Sequence, residues 1–213
     1  MENFLILKLC GPMQAWGSHT YEDYRPTQAF PTRSGILGLL GACMGIQREN
    51  RDLLLVLNAS IQMAVRADRK EGRDTVTITD FHTVQEARKV DGKPNPNPVV
   101  SRREYLCDAE FTAALRLDKD SPFTTTQLTQ ALKKPIFTPF LGRRSCPLVR
   151  PIFETEVEAN NLTEALSSIE PYQGIIYSEQ TDNPHSRMIV RDVPMQGNNR
   201  QFATRQVHIQ ADT

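Results

Sequence analysis

The chain has 213 residues, 39% hydrophobic and 23% charged, with 14 prolines, which allows one sizeable core and excludes both a disordered chain and a long-helix protein. Its 25 basic and 25 acidic residues cancel, so the whole-molecule field gives no pull toward nucleic acid or an anionic surface. Cys10, Cys43, Cys107 and Cys146 lie far apart without a C-x-x-C pair, which excludes a locally written zinc site or disulfide framework and fits a reducing cytoplasm.

In chain order, Phe4 to Leu9 reads as a buried strand ended by Gly11-Pro12, with no basic stretch before it that would make a secretory signal. Met13 to Thr32 is a polar loop holding Trp16, Tyr21, Tyr24 and Phe30, and loops of that length without secondary structure are usually functional. Pro31-Thr-Arg-Ser34 opens a helix whose apolar side carries Ile36, Leu39, Leu40, Cys43, Met44 and Ile46. Its other side collects Gly35, Gly38, Gly41 and Gly45. Each glycine costs about 1 kcal/mol against alanine in a helix, so a close backbone approach is expected, by tight packing on the sheet rather than by nucleic acid along the whole face. The run from Gly35 to Ile46 is far too short to span a membrane.

Arg51 to Asn58 predicts a second helix and Ile61 to Arg66 a strand. Core patterning then stops from Asp68 to Arg103, a polar segment with a short alternation at Thr75 to Thr79 and a Lys93-Pro-Asn-Pro-Asn-Pro98 end. It reads as an insertion projecting from the domain, a hairpin with a flexible tip. Glu104 to Leu117 predicts one strand, Thr126 to Lys134 a helix, and Ile136 to Pro147 a loop carrying Gly142-Arg-Arg-Ser-Cys146. Strands follow at Ile152 to Val157, Ile175 to Ser178, Ser186 to Arg191 and Arg205 to Gln210, with a helix at Leu162 to Ser168. The succession strand, helix, strand, strand, helix, strand is that of the ferredoxin-like α+β folds, which include the RNA-recognition sheets. One domain over 1–213 with an insertion at about 68–103 is the expected organisation.

Charge is unevenly spread. No acid occurs from Tyr24 to Arg48, where Arg25 and Arg33 also lie, or from Ser121 to Phe153, where Lys133, Lys134, Arg143, Arg144 and Arg150 lie; Pro151 to Ser186 is acidic without a single Lys or Arg. Arginine outnumbers lysine 18 to 7, a bias that suits phosphate and base recognition and also follows from base composition of the coding DNA. Thr32-Arg33-Ser34-Gly35 sets a cation and two hydroxyls at a helix N-terminus, where the dipole favours an anion such as phosphate; an ordinary cap beside a solvated arginine is the commoner meaning of such a segment. No G-x-x-x-x-G-K-[ST] is present, which excludes a P-loop. Gly142-Arg143-Arg144-Ser145 resembles a phosphate clamp, one arginine for the anion and the other for a partner or an acid. Trp16, Tyr21 and Tyr24 near Arg25 are placed to stack bases, although a single Trp equally caps a core. His19, His82, His185 and His208 are scattered, with no i, i+4 pair and no obvious orienting acid, so neither a metal site nor a catalytic centre is expected.

Longer blocks carry more information. Gly11-Pro-Met-Gln-Ala-Trp-Gly17, Arg25-Pro-Thr27, Phe30-Pro-Thr-Arg-Ser-Gly-Ile-Leu-Gly-Leu-Leu-Gly-Ala42, Arg103-Glu-Tyr-Leu-Cys-Asp108, Thr138-Pro-Phe-Leu-Gly-Arg-Arg-Ser-Cys-Pro-Leu148 and Arg200-Gln-Phe-Ala-Thr-Arg205 resemble the CasD subunits of type I-E CRISPR Cascade complexes. The resemblance implies a modified RNA-recognition fold with a projecting thumb, matching the insertion. It also implies a non-catalytic subunit that caps the 5′ handle of the CRISPR RNA, touches the large subunit and the backbone subunits, and meets target DNA only through the complex, with no cofactor. A relative in type I-C systems cleaves repeat RNA; here His19 with Tyr21 or Lys8 would have to supply that chemistry. The expected RNA-binding set is Gln14, Trp16, Arg25, Arg33, Ser34, Gly142, Arg143, Arg144 and Ser145, with Arg102, Arg103 and Tyr105 at the thumb base where handle passes into guide.

Overall fold

The structure is a computed structural model, and it describes residues 1–69, 75–180, 185–195 and 201–212. The elements in chain order are β1 (Glu2–Cys10), the short strands β2 (Met13–Gln14), β3 (Trp16–Gly17), β4 (Tyr24–Arg25) and β5 (Thr27–Gln28), α1 (Arg33–Cys43), α2 (Arg51–Ser60) and β6 (Ile61–Asp68). There follow β7 (Val76–Val84), β8 (Val99–Cys107), β9 (Glu110–Leu117), α3 (Thr125–Lys133), β10 (Phe153–Ala159), α4 (Leu162–Ser167), β11 (Gly174–Ser178), β12 (Ser186–Pro194) and β13 (Phe202–Asp212). The result is a mixed α+β architecture with antiparallel main pairing.

A seven-stranded sheet in the order β10-β1-β9-β6-β11-β13-β12 is the frame. Its strands β1, β6, β9 and β10, with α1, α2 and α3 between them, run strand, helix, strand, strand, helix, strand. The apolar run from Phe4 to Leu7 in β1 exists because both faces of the strand are covered. Leu5, Leu7 and Leu9 join the core containing Ile36, Leu39, Leu40, Leu57 and Leu128 from the three longer helices. Phe4 and Ile6 point the other way, into a second core with Ala64, Ala114 and the α4 residues Leu162, Ala165 and Leu166. Side-chain caps set the helix starts: Thr32 accepts from the Gly35 amide, Asn50 from Leu53 and Asn161 from Glu164, while Thr124 and Gln127 form a reciprocal capping box.

Two expectations about elements need correction. The predicted single strand from Glu104 to Leu117 is two strands, because Asp108 adopts a positive φ of 53° and the chain turns from β8, in a separate four-stranded sheet, into β9 in the main sheet. The segment from Met13 to Thr32 is no open loop: its two-residue strands pair with β8 and with each other. The glycines of α1 do meet neighbours, but not the main sheet. A Cβ on Gly35 would stand 2.7 Å from the Trp16 ring and one on Gly41 3.1 Å from Leu54 of α2, whereas one on Gly38 meets nothing.

Candidate nucleic-acid interface at the thumb base

The insertion is a long hairpin of β7 and β8 whose register runs unbroken from Val76 opposite Cys107 to Val84 opposite Val99. At its base the free edge of β8 takes β2 at Leu106 and Cys107 and, in parallel, β4 at Arg102 and Arg103. Arg143 stitches this junction together. It donates through Nη1 to the Glu104 carbonyl at 2.9 Å and through Nη2 to the Arg25 carbonyl at 3.0 Å, with its guanidinium 4.6 Å above the Tyr105 ring. The Glu104 carboxylate accepts from the Tyr24 hydroxyl and, at 3.0 Å, from the Thr27 amide; that hydrogen bond to the carboxylate pushes the Tyr24 phenol above its ordinary range. Arg102 donates to Asp23 at 3.2 Å and lies over Tyr24, and the same contact lowers the Asp23 carboxyl.

The residues expected at the site divide sharply. Arg102, Arg144 and Ser145 face solvent, Arg103 is half-buried with Nε donating to Ser101 Oγ at 2.9 Å, and Arg144 has no ion pair among the described residues. Arg25 is half-buried, its Nη1 donating to the carbonyls of Glu22 and Tyr24. Arg143 points inward, as a tie rather than a surface cation. Gly142 serves the same tie: its φ is +85°, and a Cβ would stand 1.7 Å from the Ala15 carbonyl oxygen.

Four of the residues expected to bind RNA are buried in the chain, and a fifth is half-buried. Trp16 and Gln14 are fully buried, Trp16 Nε1 donating to Gln14 Oε1 at 3.1 Å while Gln14 Nε2 donates to the carbonyls of Leu9 and Ala109. The pair fastens β1 to the β8–β9 turn. Tyr105 is buried beneath Arg143, its hydroxyl 2.9 Å from His82 Nε2. Arg33 is buried and fully engaged, with Asn58, Ile61 and Glu179 around its guanidinium and Asp192 on its backbone amide at 2.7 Å. That carboxylate occupies the helix N-terminus where phosphate was expected, and half-buried Ser34 beside it lies 3.5 Å from Thr32 Oγ1.

Other residues stand at this junction that sequence reasoning missed. Phe81 is 69% exposed directly opposite Arg102, and Asp80 lies 3.2 Å from His82, so one histidine does have an adjacent acid. The apolar alternation of Val76 and Ile78 stops at Asp80, so periodicity alone ends the strand too early; residues two apart on the extended strand, such as Asp80 and His82, share a face. The two acid-free stretches also meet, for Gly38, Ala42 and Arg48 line one groove with Ile136, Phe137 and Arg144. The described residues contain no grouping of three or more metal-type ligands and no helix long and apolar enough to cross a membrane. Burial holds the Cys43 thiol up to about 11, so it is protonated at neutral pH.

Comparison with known proteins bears on what this surface is for. The sequence model of the family described as CRISPR-associated protein (Cas_Cas5) matches residues 4–208. The chain belongs to the Cas5 family. Among curated Cas5-like relatives, the Cascade subunit CasD of Escherichia coli (strain K12) is 46% identical over 98% of this chain and 96% of its own length. Among solved structures, a chain of a CRISPR RNA-guided surveillance complex superposes with a TM-score of 0.73 at 26% identity, covering 98% of this chain and 90% of that one. The crystal structure of a Cas protein gives a TM-score of 0.68 at 29% identity, covering 98% and 94%. Both likenesses extend over nearly the whole chain.

Proposed function

We propose that this Cas5-family chain is the subunit of a type I-E Cascade complex that holds the 5′ handle of the CRISPR RNA and cuts nothing itself. It would contact the large subunit and the terminal backbone subunit in the cytoplasm, with target DNA reached only through the complex. The observation that carries the reading is the thumb base, where exposed Arg102 and half-buried Arg103 stand at a junction locked by Arg143, next in the chain to exposed Arg144. The strand order β10-β1-β9-β6 within one domain supports reading the fold as a modified ferredoxin-like, RNA-recognition architecture with a thumb. The middle of the sheet is covered by α4 on one side and by the longer helices on the other, which supports looking for the RNA at the thumb base.

Alanine at Arg102 and Arg144 is expected to weaken handle binding and to lower the magnitude of the salt slope by about 0.7 for each phosphate no longer neutralised. Titrating the assembled complex or the purified chain against handle RNA at several salt concentrations measures it. An unchanged slope in the double variant counts against this surface.

The rival reading, an endoribonuclease, draws on His82 and Asp80. Asp80 and the Tyr105 hydroxyl both lie at His82 Nε2, so the acid does not brace the opposite nitrogen as an orienting partner would. Lys8 is no better placed: it is buried, with Asp68 Oδ2 at 3.1 Å and Thr112 Oγ1 at 2.6 Å. Repeat RNA incubated with the purified chain, with and without chelator, should stay intact. Site-specific cutting that vanishes in His19→Ala or His82→Ala would establish the nuclease instead.

A further inference from the structure

The thumb presents an edge that the fold leaves open. Strand β7 has nine residues, Val76–Val84, eight of them exposed and His82 half-buried. One edge is paired with β8 along its whole length without a bulge. Because β2 and β4 take the other edge of β8, the outer edge of β7 has no strand beside it among the described residues. Soluble proteins protect such edges with lysine, proline, bulges or a covering element. The sequence Val-Thr-Ile-Thr-Asp-Phe-His-Thr-Val has no lysine or proline and pairs without a bulge, Asp80 being its one acidic residue, and it is rich in β-branched and aromatic residues that favour pairing. A regular edge about 30 Å long is a template for another strand.

A second copy of this chain is a poor occupant. Antiparallel self-pairing in full register sets Asp80, the middle residue of the nine, against its own copy, and like charges directly opposite are destabilising. A different protein strand with Lys or Arg at that position would be attracted instead, and the Asp80 side chain, 60% exposed, is reachable despite its contact with His82. We infer that the outer edge of β7 receives an extended strand of a neighbouring protein subunit by β-strand addition, with a basic residue facing Asp80. This rests on the reading of the chain as a subunit of a multiprotein complex and names how the thumb would grip its neighbour.

Amide hydrogen exchange tests it on the full chain, alone and reconstituted with purified backbone subunits, without RNA and then with handle RNA. Alternate amides between Val76 and Val84 should exchange freely in the lone chain and at least tenfold more slowly once the backbone subunits are added, RNA or not. Assembly with these amides still exchanging freely overturns the inference alone. So does protection that appears only with RNA, which would make nucleic acid the cover. Failure to assemble at all overturns the functional reading as well. Neighbouring strand residues point their N–H groups to opposite sides, so of Ile78→Pro and Thr79→Pro one breaks the hairpin and the other preserves it. The preserving variant should lose about tenfold in affinity for the backbone subunits; wild-type affinity in that variant would also sink the strand-addition mode.

Discussion

Alanine at Arg33 is expected to destabilise the chain by about 3 kcal/mol or more, the loss typical of breaking a buried ion pair, while the salt slope for RNA stays as in the wild type. The guanidinium donates through Nε to Asn58 Oδ1 at 2.8 Å, through Nη1 to Glu179 at 2.9 Å and through Nη2 to the carbonyls of Asn58 and Ile61. Removing it strands the buried Ile61 carbonyl and the half-buried Asn58 carbonyl and leaves Glu179 with Arg205 at 3.2 Å. The same neighbourhood joins α1 to the C-terminal strands, since Asp192 accepts both from the Arg33 amide and from Arg205. Lysine should not rescue, because one ammonium cannot reproduce a fork of donors aimed at four acceptor oxygens on three residues. Denaturant unfolding alongside RNA titration separates the possibilities: native stability with a reduced slope would restore Arg33 to the phosphate-binding set.

A comparable loss, above about 3 kcal/mol, is expected for Gly142→Ala, from a left-handed backbone strain of about 1–2 kcal/mol plus overpacking. The added methyl would stand 1.7 Å from the Ala15 carbonyl oxygen, which belongs to the backbone and cannot swing aside. Ala15 N already donates its hydrogen bond to this loop's Leu141 carbonyl, at 3.1 Å, so relief must come from moving the loop. Arg143 then leaves the Glu104 and Arg25 carbonyls, and β4 and β8 lose the tie that orients the thumb. Faster amide exchange in β4 and β8 together with weaker handle binding is the expected signature, whereas a fully stable variant with both unchanged would deny the loop this role.

Much of the frame is legible in the sequence because it is written in periodicity. The apolar run from Phe4 to Leu7 in β1 foretells burial on both faces, and the loss of patterning after Asp68 marks the hairpin. The site is harder to read because arginine and aromatic side chains have both inward and outward uses. Nothing local distinguishes Arg143, which bonds carbonyls on two distant strands, from its exposed neighbour Arg144. Trp16 passes for a stacking ring because its segment looks like a loop; the polar partner that allows the indole to be buried, Gln14, stands two residues earlier. The break inside Glu104 to Leu117 escapes notice because Asp108 takes a positive φ that aspartate tolerates without announcing it.

With α4 laid over Phe4, Ile6, Ala64 and Ala114 on one side and α1 to α3 over Leu5, Leu7 and Leu9 on the other, the apolar side chains of the central strands are spent on packing. Pressure for a well-packed interior and pressure for partner choice therefore fall on separate sets of residues. A saturation library should divide accordingly: positions on β1, β6 and β9 would register in thermal stability, and the exposed positions of β7 in affinity with the melting temperature untouched. Such a division of labour lets the hairpin drift toward new partners without each step having to be matched by repair of the core.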